Sequence, residues 1–396
     1  MRIAYIAPYH GPALVRQRPI GLNRSLANSI KLELIAGLLR GCGHEVEVIS
    51  QGEVIGARFR YYRALAEPLP GAPDITVFYA SALPIRRLAA LWSSVRTLNL
   101  FKRRHRADAY DAAMIWNLKE PQALCGAHAL RRMRIPVVLQ YEDDMRVDMW
   151  GRPVTRSMLY RRYAPRVFRE VSGGMACSPL LLEQLPAPVP KLLLRGVVGH
   201  DLAGLADGAR PPKQNHVLFS GTHDPQKGIG QLISAWARVE HPDWELHITG
   251  EGPDTAALRE LAANTRGVRF HGLVDRPELV RLMSAAKICV NPHDLSDTPG
   301  NLFAFKIVEY LAAGAHVLTT PMGPLEADLE AGITYLPDNR PDTIAAALDR
   351  AIQSRPWERN TTAAVLRSYG PAAVSKSLDL LLRQAEAGRA KPDRTR

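Results

Sequence analysis

The chain has 396 residues, 46% apolar and 23% charged, with a net charge of +12. These values describe a globular protein with material for two domain cores, and the charge suits phosphorylated substrates, an anionic membrane or nucleic acid. No stretch approaches the ~20 apolar residues of a membrane span, and we expect no signal peptide before the first strand. The cysteines are scattered, which argues against a zinc site or disulfide bonds and favours a cytoplasmic location.

Short apolar strands alternate with helical patterns along most of the chain. This alternation predicts an α/β fold with parallel sheets that helices cover on both faces. The predicted strands are 2–7, 45–49, 112–116, 136–140, 174–177, 216–220, 244–249, 268–270, 288–291, 316–319 and 334–336. The helical patterns between them include 22–40, 122–132, 230–239, 277–285 and 302–313.

Proline and glycine clusters mark the domain boundary. The stretch 196–212 contains four glycines and two prolines with little periodicity, which is typical of a hinge. We therefore predict two doubly wound Rossmann-like domains, at 1–195 and 213–370, joined by a linker at 196–212. A C-terminal helix and a disordered tail are expected at 371–396.

The first candidate binding segment follows the strand 216–220. Gly221 permits a tight turn, Thr222 follows it, and Lys227 precedes a helix start. Backbone N–H groups at a helix start, together with an ammonium group, make an anion site. The alternative is an ordinary loop with a surface lysine.

Two more segments end the next strands of the same half. Gly250 and Gly252 follow the strand 244–249 and let a ligand approach the backbone. Gly272, with Leu273 and Val274, follows the strand 268–270. Both turns lie at the carboxyl edge, where doubly wound sheets bind ligands.

The fourth segment, 301–314, starts a helix after a polar loop, so its first N–H groups favour negative charge. Glu309 falls in a mostly apolar part of this helix, where an unpartnered carboxylate is costly. It therefore either forms a salt bridge or accepts hydrogen bonds from two sugar hydroxyls.

These four segments, in this order, resemble the retaining GT-B glycosyltransferases of family 4, the glycosyl transferases of group 1. The resemblance covers about 217–321 closely and the first half loosely. It implies two domains that face each other across a cleft, with a UDP- or GDP-sugar donor as substrate in the second domain, and no cofactor. We expect no metal either, because no DxD-like motif lies beside the donor segments.

The resemblance also assigns roles on the donor side. It implies that Glu309 binds the ribose, that Lys227 and the backbone around Gly221 bind the diphosphate, and that 272–274 meets the nucleobase. The remaining donor-side candidates are Thr222, Gly250, Gly252, Asn301, Leu302, Phe303 and Lys306.

Two residues depart from the family pattern. Asn301 replaces a glutamate but can still hydrogen-bond a sugar hydroxyl, and Thr222 stands where family members have an arginine. Lys306 either supplies the missing charge at the diphosphate or is a solvated helix lysine. These departures keep open a non-catalytic sugar-nucleotide or membrane-binding partner, and a nucleotide-sugar epimerase is a second alternative. A Rossmann dehydrogenase is disfavoured, because no GxGxxG follows the first strand.

The first half is expected to bind the acceptor. Glu142 and Asp143 follow the strand 136–140 and are candidates for positioning or deprotonating an acceptor hydroxyl; the alternative is an acidic capping turn. Arg16, Arg18 and Arg24 either hold an acceptor phosphate or form a mobile surface loop. Asn117 stands where relatives have a histidine, which leaves His10 and His293 as substitutes.

The catalytic candidates are Lys227, Asn301, Glu142 and Asp143. The resemblance implies retention of configuration, with the leaving diphosphate helping to deprotonate the acceptor. Positioning and charge stabilisation then dominate catalysis, with Lys227 and the helix start at Leu302 facing the diphosphate.

The stretch 84–106 has apolar residues at helical spacing and an arginine-rich opposite face, and 152–169 is a second basic run. This pattern predicts attachment to the inner face of the cytoplasmic membrane; the alternative is a helix packed on the sheet with a solvated basic face. Membrane attachment suits a glycolipid, lipopolysaccharide or polysaccharide acceptor. No nucleic-acid recognition motif is present.

Overall fold

The computed structural model describes residues 1–18, 26–54, 60–84, 89–143, 157–205, 211–295, 303–323, 325, 327–358 and 361–389. They form two compact units: one contains the described residues of Met1–Arg195 and Val374–Arg396, and the other contains those of Gly196–Ala373.

The first unit is built on an eight-stranded sheet with the order β3-β4-β2-β1-β5-β6-β7-β8. The edge strand β3 is antiparallel to β4, and the other neighbours are parallel. The central strands are buried on both faces, which agrees with their continuous apolar sequences. The strands are β1 (Arg2–Ile6), β2 (Glu45–Ser50), β3 (Leu65–Leu69), β4 (Ala72–Tyr79), β5 (Ala112–Trp116), β6 (Val137–Tyr141), β7 (Gly173–Ala176) and β8 (Lys191–Leu193).

Helices from both ends of the chain cover this sheet. The C-terminal helix α15 (Pro371–Arg389) joins the first unit, because Asp379 contacts His44 at 3.0 Å and Arg389 donates to the carbonyls of Ile135 and Leu130. The others are α1 (Pro12–Gln17), α2 (Leu26–Gly41), α3 (Ala89–Ala107), α4 (Glu120–His128), α5 (Met158–Glu170) and α6 (Pro179–Gln184). The expected tail beyond residue 389 lies outside the described residues.

The second unit has a six-stranded parallel sheet with the order β11-β10-β9-β12-β13-β14. Its strands are β9 (Gln214–Ser220), β10 (Glu245–Thr249), β11 (Val268–Gly272), β12 (Ala286–Asn291), β13 (His316–Thr319) and β14 (Ile333–Tyr335). Its helices are α7 (His200–Gly204), α8 (Ile229–Trp236), α9 (Thr255–Ala262), α10 (Arg276–Ala285), α11 (Lys306–Ala312), α12 (Ala327–Glu330), α13 (Pro341–Ser354) and α14 (Thr362–Tyr369).

Both sheets contain the doubly wound strand order in which the chain reverses direction next to its first strand. This switch point lies between β1 and β5 in the first unit and between β9 and β12 in the second. The prediction of an α/β protein with two Rossmann-like domains is confirmed.

Three features of the sequence prediction need correction. The expected linker 196–212 belongs, where described, to the second unit: it forms α7, and Val198 and Leu202 lie in the core of that unit. The hairpin β3–β4 and the strand β8 were missed. For β3 and β4 the reason is that buried and exposed residues alternate along these strands, which therefore lack an apolar run. The helix expected from Leu302 begins at Lys306, since Phe303 and Ala304 pack against the core.

The predicted amphipathic helix is observed as α3, while 85–88 lies outside the described residues. Leu100 and Phe101 pack into the core, whereas Leu91 and Val95 are exposed. No described helix is long and apolar enough to span a membrane. Of the second basic run, 152–156 is outside the described residues and the rest forms α5.

Three histidines of the second sheet form a contact chain across neighbouring strands. The rings of His216 and His247 stack at 4.3 Å, and His247 Nδ1 lies 3.2 Å from His271 Nε2. Glu245 contacts His247 Nε2 at 3.0 Å. Burial lowers the pKa of all three histidines, that of His216 to about 4. The folded unit therefore favours their neutral forms.

This arrangement predicts acid sensitivity of the second unit. The folded pKa of His216 is below its unfolded value of about 6.5, so its stabilising contribution is complete above pH 6.5 and is lost as pH falls towards 4. The loss should reach up to about 3 kcal/mol. Hydrogen exchange of the β9 and β10 amides at pH 7 and pH 4.5 measures it for this unit.

The matched variants are His216→Gln and His200→Gln, the second on the exposed surface of α7. His216→Gln should flatten the pH dependence, and His200→Gln should leave it unchanged. Identical pH profiles for wild type and His216→Gln would contradict this assignment.

Candidate functional site

Three turns with glycine lie side by side at the carboxyl edge of the second sheet. Gly221 follows β9, Gly250 follows β10 and Gly272 ends β11. The turns are hydrogen-bonded to each other: Gly221 N donates to Thr249 O (3.3 Å), and Gly250 N donates to Gly272 O (2.8 Å). Three of the predicted donor segments therefore meet at one edge, beside the switch point.

The backbone at Gly250 and Gly252 is too crowded for a side chain. Gly250 has a φ of +107°, and a Cβ atom there would lie 1.9 Å from Gly221 O. A Cβ atom at Gly252 would lie 2.3 Å from His223 O. Glycine is required at both positions because another part of the backbone approaches them closely. The prediction gave a different reason, which was the approach of a ligand.

Lys306, at the start of α11, reaches the carboxyl end of β9. Its Nζ donates to Ser220 O at 3.0 Å and lies 4.1 Å from the centroid of the Phe219 ring. The residue is partly buried. Burial, and then the charge of Lys227, lowers the pKa of Lys306 to about 7. With these contacts, Lys306 is not the solvated helix lysine of the alternative interpretation.

Lys227 ends a short 3-10 helix, Pro225–Lys227, which Asp224 caps. Its Nζ lies 3.4 Å from Nε2 of His293, a residue shortly after β12. Burial and the charge of Lys227 lower the pKa of His293 to about 4, so this ring is neutral at pH 7 and can accept a hydrogen bond from the ammonium group. Of the two substitute histidines, His293 thus lies in the donor region.

Lys227, Lys306 and His293 form what we call the lysine cluster. Asp224 is the carboxylate whose charge acts favourably on Lys306. Asp224 also caps the short helix turn that ends at Lys227, because its Oδ1 accepts a hydrogen bond from Gln226 N. A ligand with two negative charges would offset their repulsion, so the cluster can hold a diphosphate.

Glu309 is buried in α11 and ion-paired with Arg276, at the start of α10. Nη1 of Arg276 donates to Oε1 of Glu309 at 2.6 Å, while its Nε and Nη2 donate to Asp201 at 2.6 and 3.1 Å. Burial raises the pKa of Glu309 and Arg276 opposes the rise. Within the described part of the chain, no group donates to Glu309 Oε2.

The predicted salt bridge and the predicted sugar contact are thus compatible, because they use different oxygens of Glu309. Arg276 and Asp201 were missed by sequence reasoning. The proline after Arg276 and the capping residue Asp275 mark a helix start there, but no local pattern connects Arg276 to Glu309, 33 residues later.

Removing Arg276 should destabilise the second unit more than neutralising Glu309. Arg276→Met leaves a buried carboxylate without a cation and should cost about 3–5 kcal/mol of unfolding free energy at pH 7. Glu309→Gln leaves Arg276 paired with Asp201 and should cost about 1 kcal/mol. Urea unfolding measures both.

The stability lost in Arg276→Met should partly return as pH falls towards 5, because the buried carboxyl group can then take up a proton. Equal costs for the two variants, or no recovery at low pH, would contradict this assignment.

The other donor-side candidates have weaker structural support. Leu273 is 54% exposed, Val274 and Thr222 are partly buried, and Phe303 packs against the apolar core. Asn301 and Leu302 lie outside the described residues. The described helix α11 begins at Lys306, four residues after the helix start that was expected at Leu302.

In the first unit, Glu142 is held by two side chains. Lys31 Nζ lies 2.7 Å from Oε1 of Glu142, with only 6% of the lysine side chain exposed. Gln140 Nε2 donates to the same oxygen at 2.6 Å. Glu142 therefore neutralises a buried lysine and has a structural role.

Asp143 has more freedom. It is exposed, and its Oδ2 accepts a hydrogen bond of 2.9 Å from Asn117 Nδ2. Desolvation of its carboxyl group by the neighbouring residues, and then the charge of Glu142, raises the pKa of Asp143. Asn117 has a φ of 55°, which asparagine tolerates, and its Oδ1 accepts from the N–H groups of Glu142 and Asp143 at 2.8 and 3.2 Å. Asn117, at the place of the family histidine, thus positions the acidic turn.

The arginine loop does not act as expected. Arg18 is buried, and its guanidinium donates to the main-chain carbonyls of Gly52, Arg63 and Ala80. It therefore braces the backbone and is not available to an acceptor phosphate. Arg16 is exposed, and Arg24 lies outside the described residues.

Glu142 and Asp143 should separate in a stability test. Glu142→Gln leaves Lys31 buried without a counter-charge and should cost about 3 kcal/mol, the lower end for breaking a buried pair. Asp143→Asn should change the unfolding free energy by less than about 1 kcal/mol, because the position is exposed. The exposed Glu183→Gln is the matched control, and a large cost for Asp143→Asn would assign it a structural role instead.

Among the described residues, no group of three or more His, Cys, Asp or Glu side chains could hold a metal ion. The four cysteines are free.

Residues 214–354 match the family model described as glycosyl transferases group 1. A GDP-mannose-dependent alpha-(1-6)-phosphatidylinositol dimannoside mannosyltransferase of Mycobacterium tuberculosis is 29% identical over 183 residues, 41% of this chain and 46% of that protein. An exopolysaccharide phosphotransferase of Streptomyces coelicolor is 27% identical over 172 residues, 41% of this chain and 17% of that protein. The chain spans less than half the length of either relative.

HepE of Anabaena, solved in complex with UDP, has the same fold, with a TM-score of 0.63 and 16% identity over 97% of this chain and 100% of that chain. The predicted GT-B fold class is thereby confirmed. The match to the glycosyl transferases group 1 model lies within the second unit and bears out the resemblance on which the donor-side prediction depends. Membership of family 4 in particular stays a prediction.

Proposed function

We propose that the protein transfers a sugar from a nucleotide-sugar donor to a hydroxyl group of a glycolipid, lipopolysaccharide or polysaccharide acceptor, with retention of configuration. The observation that carries the proposal is the lysine cluster, which lies at the switch point of the second sheet and within the matched segment 214–354. The named GDP-mannose-dependent relative and the UDP complex of HepE support a UDP- or GDP-sugar as donor.

On the donor side, Lys306 and Lys227 bind the diphosphate next to the turn at Gly221. Oε2 of Glu309, to which none of the described groups donates, accepts hydrogen bonds from the ribose, and 272–274 contacts the nucleobase. The Arg276 pair opposes the rise in the pKa of Glu309 that burial causes, and so favours the ionised carboxylate, which is a hydrogen-bond acceptor.

The cluster contributes to the chemistry through charge. When the bond between the anomeric carbon and the diphosphate oxygen breaks, negative charge grows on the diphosphate. Preorganised ammonium groups in a partly buried site stabilise that charge more strongly than water does. We assign no metal ion and no further cofactor to this step, because the two lysines supply the positive charge.

On the acceptor side, Asp143 is the better candidate for orienting the hydroxyl, because Glu142 is committed to Lys31. In a retaining reaction on one face of the sugar, the departing diphosphate takes the acceptor proton. A strong protein base is then unnecessary, and Asp143 acts by placing the hydroxyl.

We place the protein at the cytoplasmic face of a membrane. The exposed Leu91 and Val95 of α3, beside its arginines, support this location.

A thermal-shift screen with UDP-, GDP-, ADP- and dTDP-sugars tests the donor site. One nucleotide class should stabilise the wild type by ~2.7 kcal/mol at a hundredfold excess over its dissociation constant. Lys306→Met and Glu309→Gln should each weaken that binding at least about tenfold. No stabilisation by any donor would favour the non-catalytic alternative, and donor turnover to an epimerised sugar without acceptor would favour the epimerase.

Lys287→Met is the matched control, because it removes the same charge at the other end of the sheet, near the start of β12. It should bind the donor like the wild type. The affinity for a nucleotide-sugar, whose diphosphate does not titrate near neutrality, should fall by up to about fivefold from pH 7 to pH 8 as Lys306 loses its proton. A pH dependence that persists in Lys306→Met would assign the titration to another group.

A further inference from the structure

A cavity of about 280 Å³ lies in the first unit, apart from the acidic turn of Glu142 and Asp143. It is bounded by the residues just after β4, the residue just before β3 and one face of α3. Its volume is near the lower end of small-molecule sites, which have about 300–1,000 Å³. The polar residues that line it are Ser81, Arg96, Asn99, Lys102, Arg103 and Arg106.

The charge of this cavity is entirely positive, since four lining residues are cationic and none of the lining residues is acidic. Within the described part of the chain, none of the four takes part in an ion pair. Arg104 of the same helix shows the contrast, because it turns away and binds Glu47 at 3.0 Å. The fold therefore neutralises the arginine that it packs, whereas the described residues offer the cavity cations no ion-pair partner.

The cavity is also partly preorganised. Arg96 Nε donates to the hydroxyl oxygen of the buried Ser81 at 2.9 Å, and its guanidinium lies 5.6 Å from the ring of Trp92. Arg96, Asn99, Arg103 and Arg106 are spaced three or four residues apart, so one face of α3 presents them together. Arg96 is therefore held in place, and guanidinium groups match the oxygens of a phosphate.

One end of the cavity lies at a ligand-binding edge of the fold. Ala80 and Ser81 follow β4, which runs parallel to β2 and hence to β1, so they lie at the carboxyl edge of the sheet. Arg103 and Arg106 lie further along α3, on either side of Arg104, which binds Glu47 in the first half of β2. In the strand order, β4 is four strands from β6, which carries the acidic turn. At about 4.8 Å per strand, the separation of the two places across the sheet is about 19 Å.

We propose that this cavity binds a phosphate ester group, with Arg103, Arg106 and Lys102 as its main ligands and Ser81 with Arg96 as its fixed wall. The inference rests on the proposed function only in assigning the phosphate to the acceptor. Binding of the phosphate itself does not depend on the donor site, so the two proposals can fail separately.

The test uses the full chain and two phosphate sources. Calorimetric titration with glycerol 3-phosphate, against glycerol as control, measures a soluble phosphate monoester. Co-sedimentation with vesicles of phosphatidylglycerol and phosphatidylcholine, against pure phosphatidylcholine, measures a lipid phosphate. The key variant is Arg103→Gln/Arg106→Gln, and the control is Arg132→Gln/Arg162→Gln, which removes the same charge from exposed positions of the same unit.

Saturable binding of glycerol 3-phosphate, or retention on the anionic vesicles, should weaken at least about tenfold in Arg103→Gln/Arg106→Gln and less than about twofold in the control. Binding in the soluble assay alone identifies a soluble phosphate ester, and binding to vesicles alone identifies a lipid headgroup. Absence of binding in both assays, or equal losses in both variants, would overturn the proposal. Unchanged melting temperatures exclude unfolding as the cause.

If the nucleotide-sugar screen fails while this binding persists, the donor assignment falls and the phosphate site stands. If the screen succeeds and both phosphate assays are negative, the phosphate site falls alone.

Discussion

Two ammonium groups at the carboxyl end of β9 impose the main constraint on the second unit. Lys306 is partly buried against Ser220 and Phe219, and the charge of Lys227 acts against its own. Protein structures rarely hold two cations together without a purpose, because burial and repulsion both oppose the charged forms. A diphosphate reverses both effects at once, which is why the donor assignment depends on this cluster.

The residues next to the lysine cluster hold its backbone in position. Tyr310 accepts a hydrogen bond from Ser220 N at 2.9 Å and so fixes the strand end to which Lys306 donates. The crowded turns at Gly250 and Gly252 hold the adjacent backbone in place. The same helix, α11, carries Lys306 and Glu309 three residues apart, so a single element sets the positions of a cation and a carboxylate.

The sequence predicted what depends on local patterns and missed what depends on distant contacts. Apolar runs located most of the parallel strands, and glycine spacing located the turns that meet at Gly221. The pairing of Glu309 with Arg276, and of Glu142 with Lys31, joins residues 33 and 111 positions apart, which no periodicity reveals. The role of Arg18 was misjudged for the same reason, because its three carbonyl partners come from separate loops.

Glu142 and Asp143 are adjacent acidic residues of the first unit, but they have different surroundings and therefore different roles. Glu142 is tied to a buried lysine, while Asp143 stays exposed and is oriented by Asn117. Under the proposed function, an acceptor that places its hydroxyl at Asp143 and a phosphate in the basic cavity spans about four strands, or about 19 Å. A single sugar cannot bridge that distance. The first unit therefore fits an elongated acceptor, with its phosphate remote from the hydroxyl that receives the sugar.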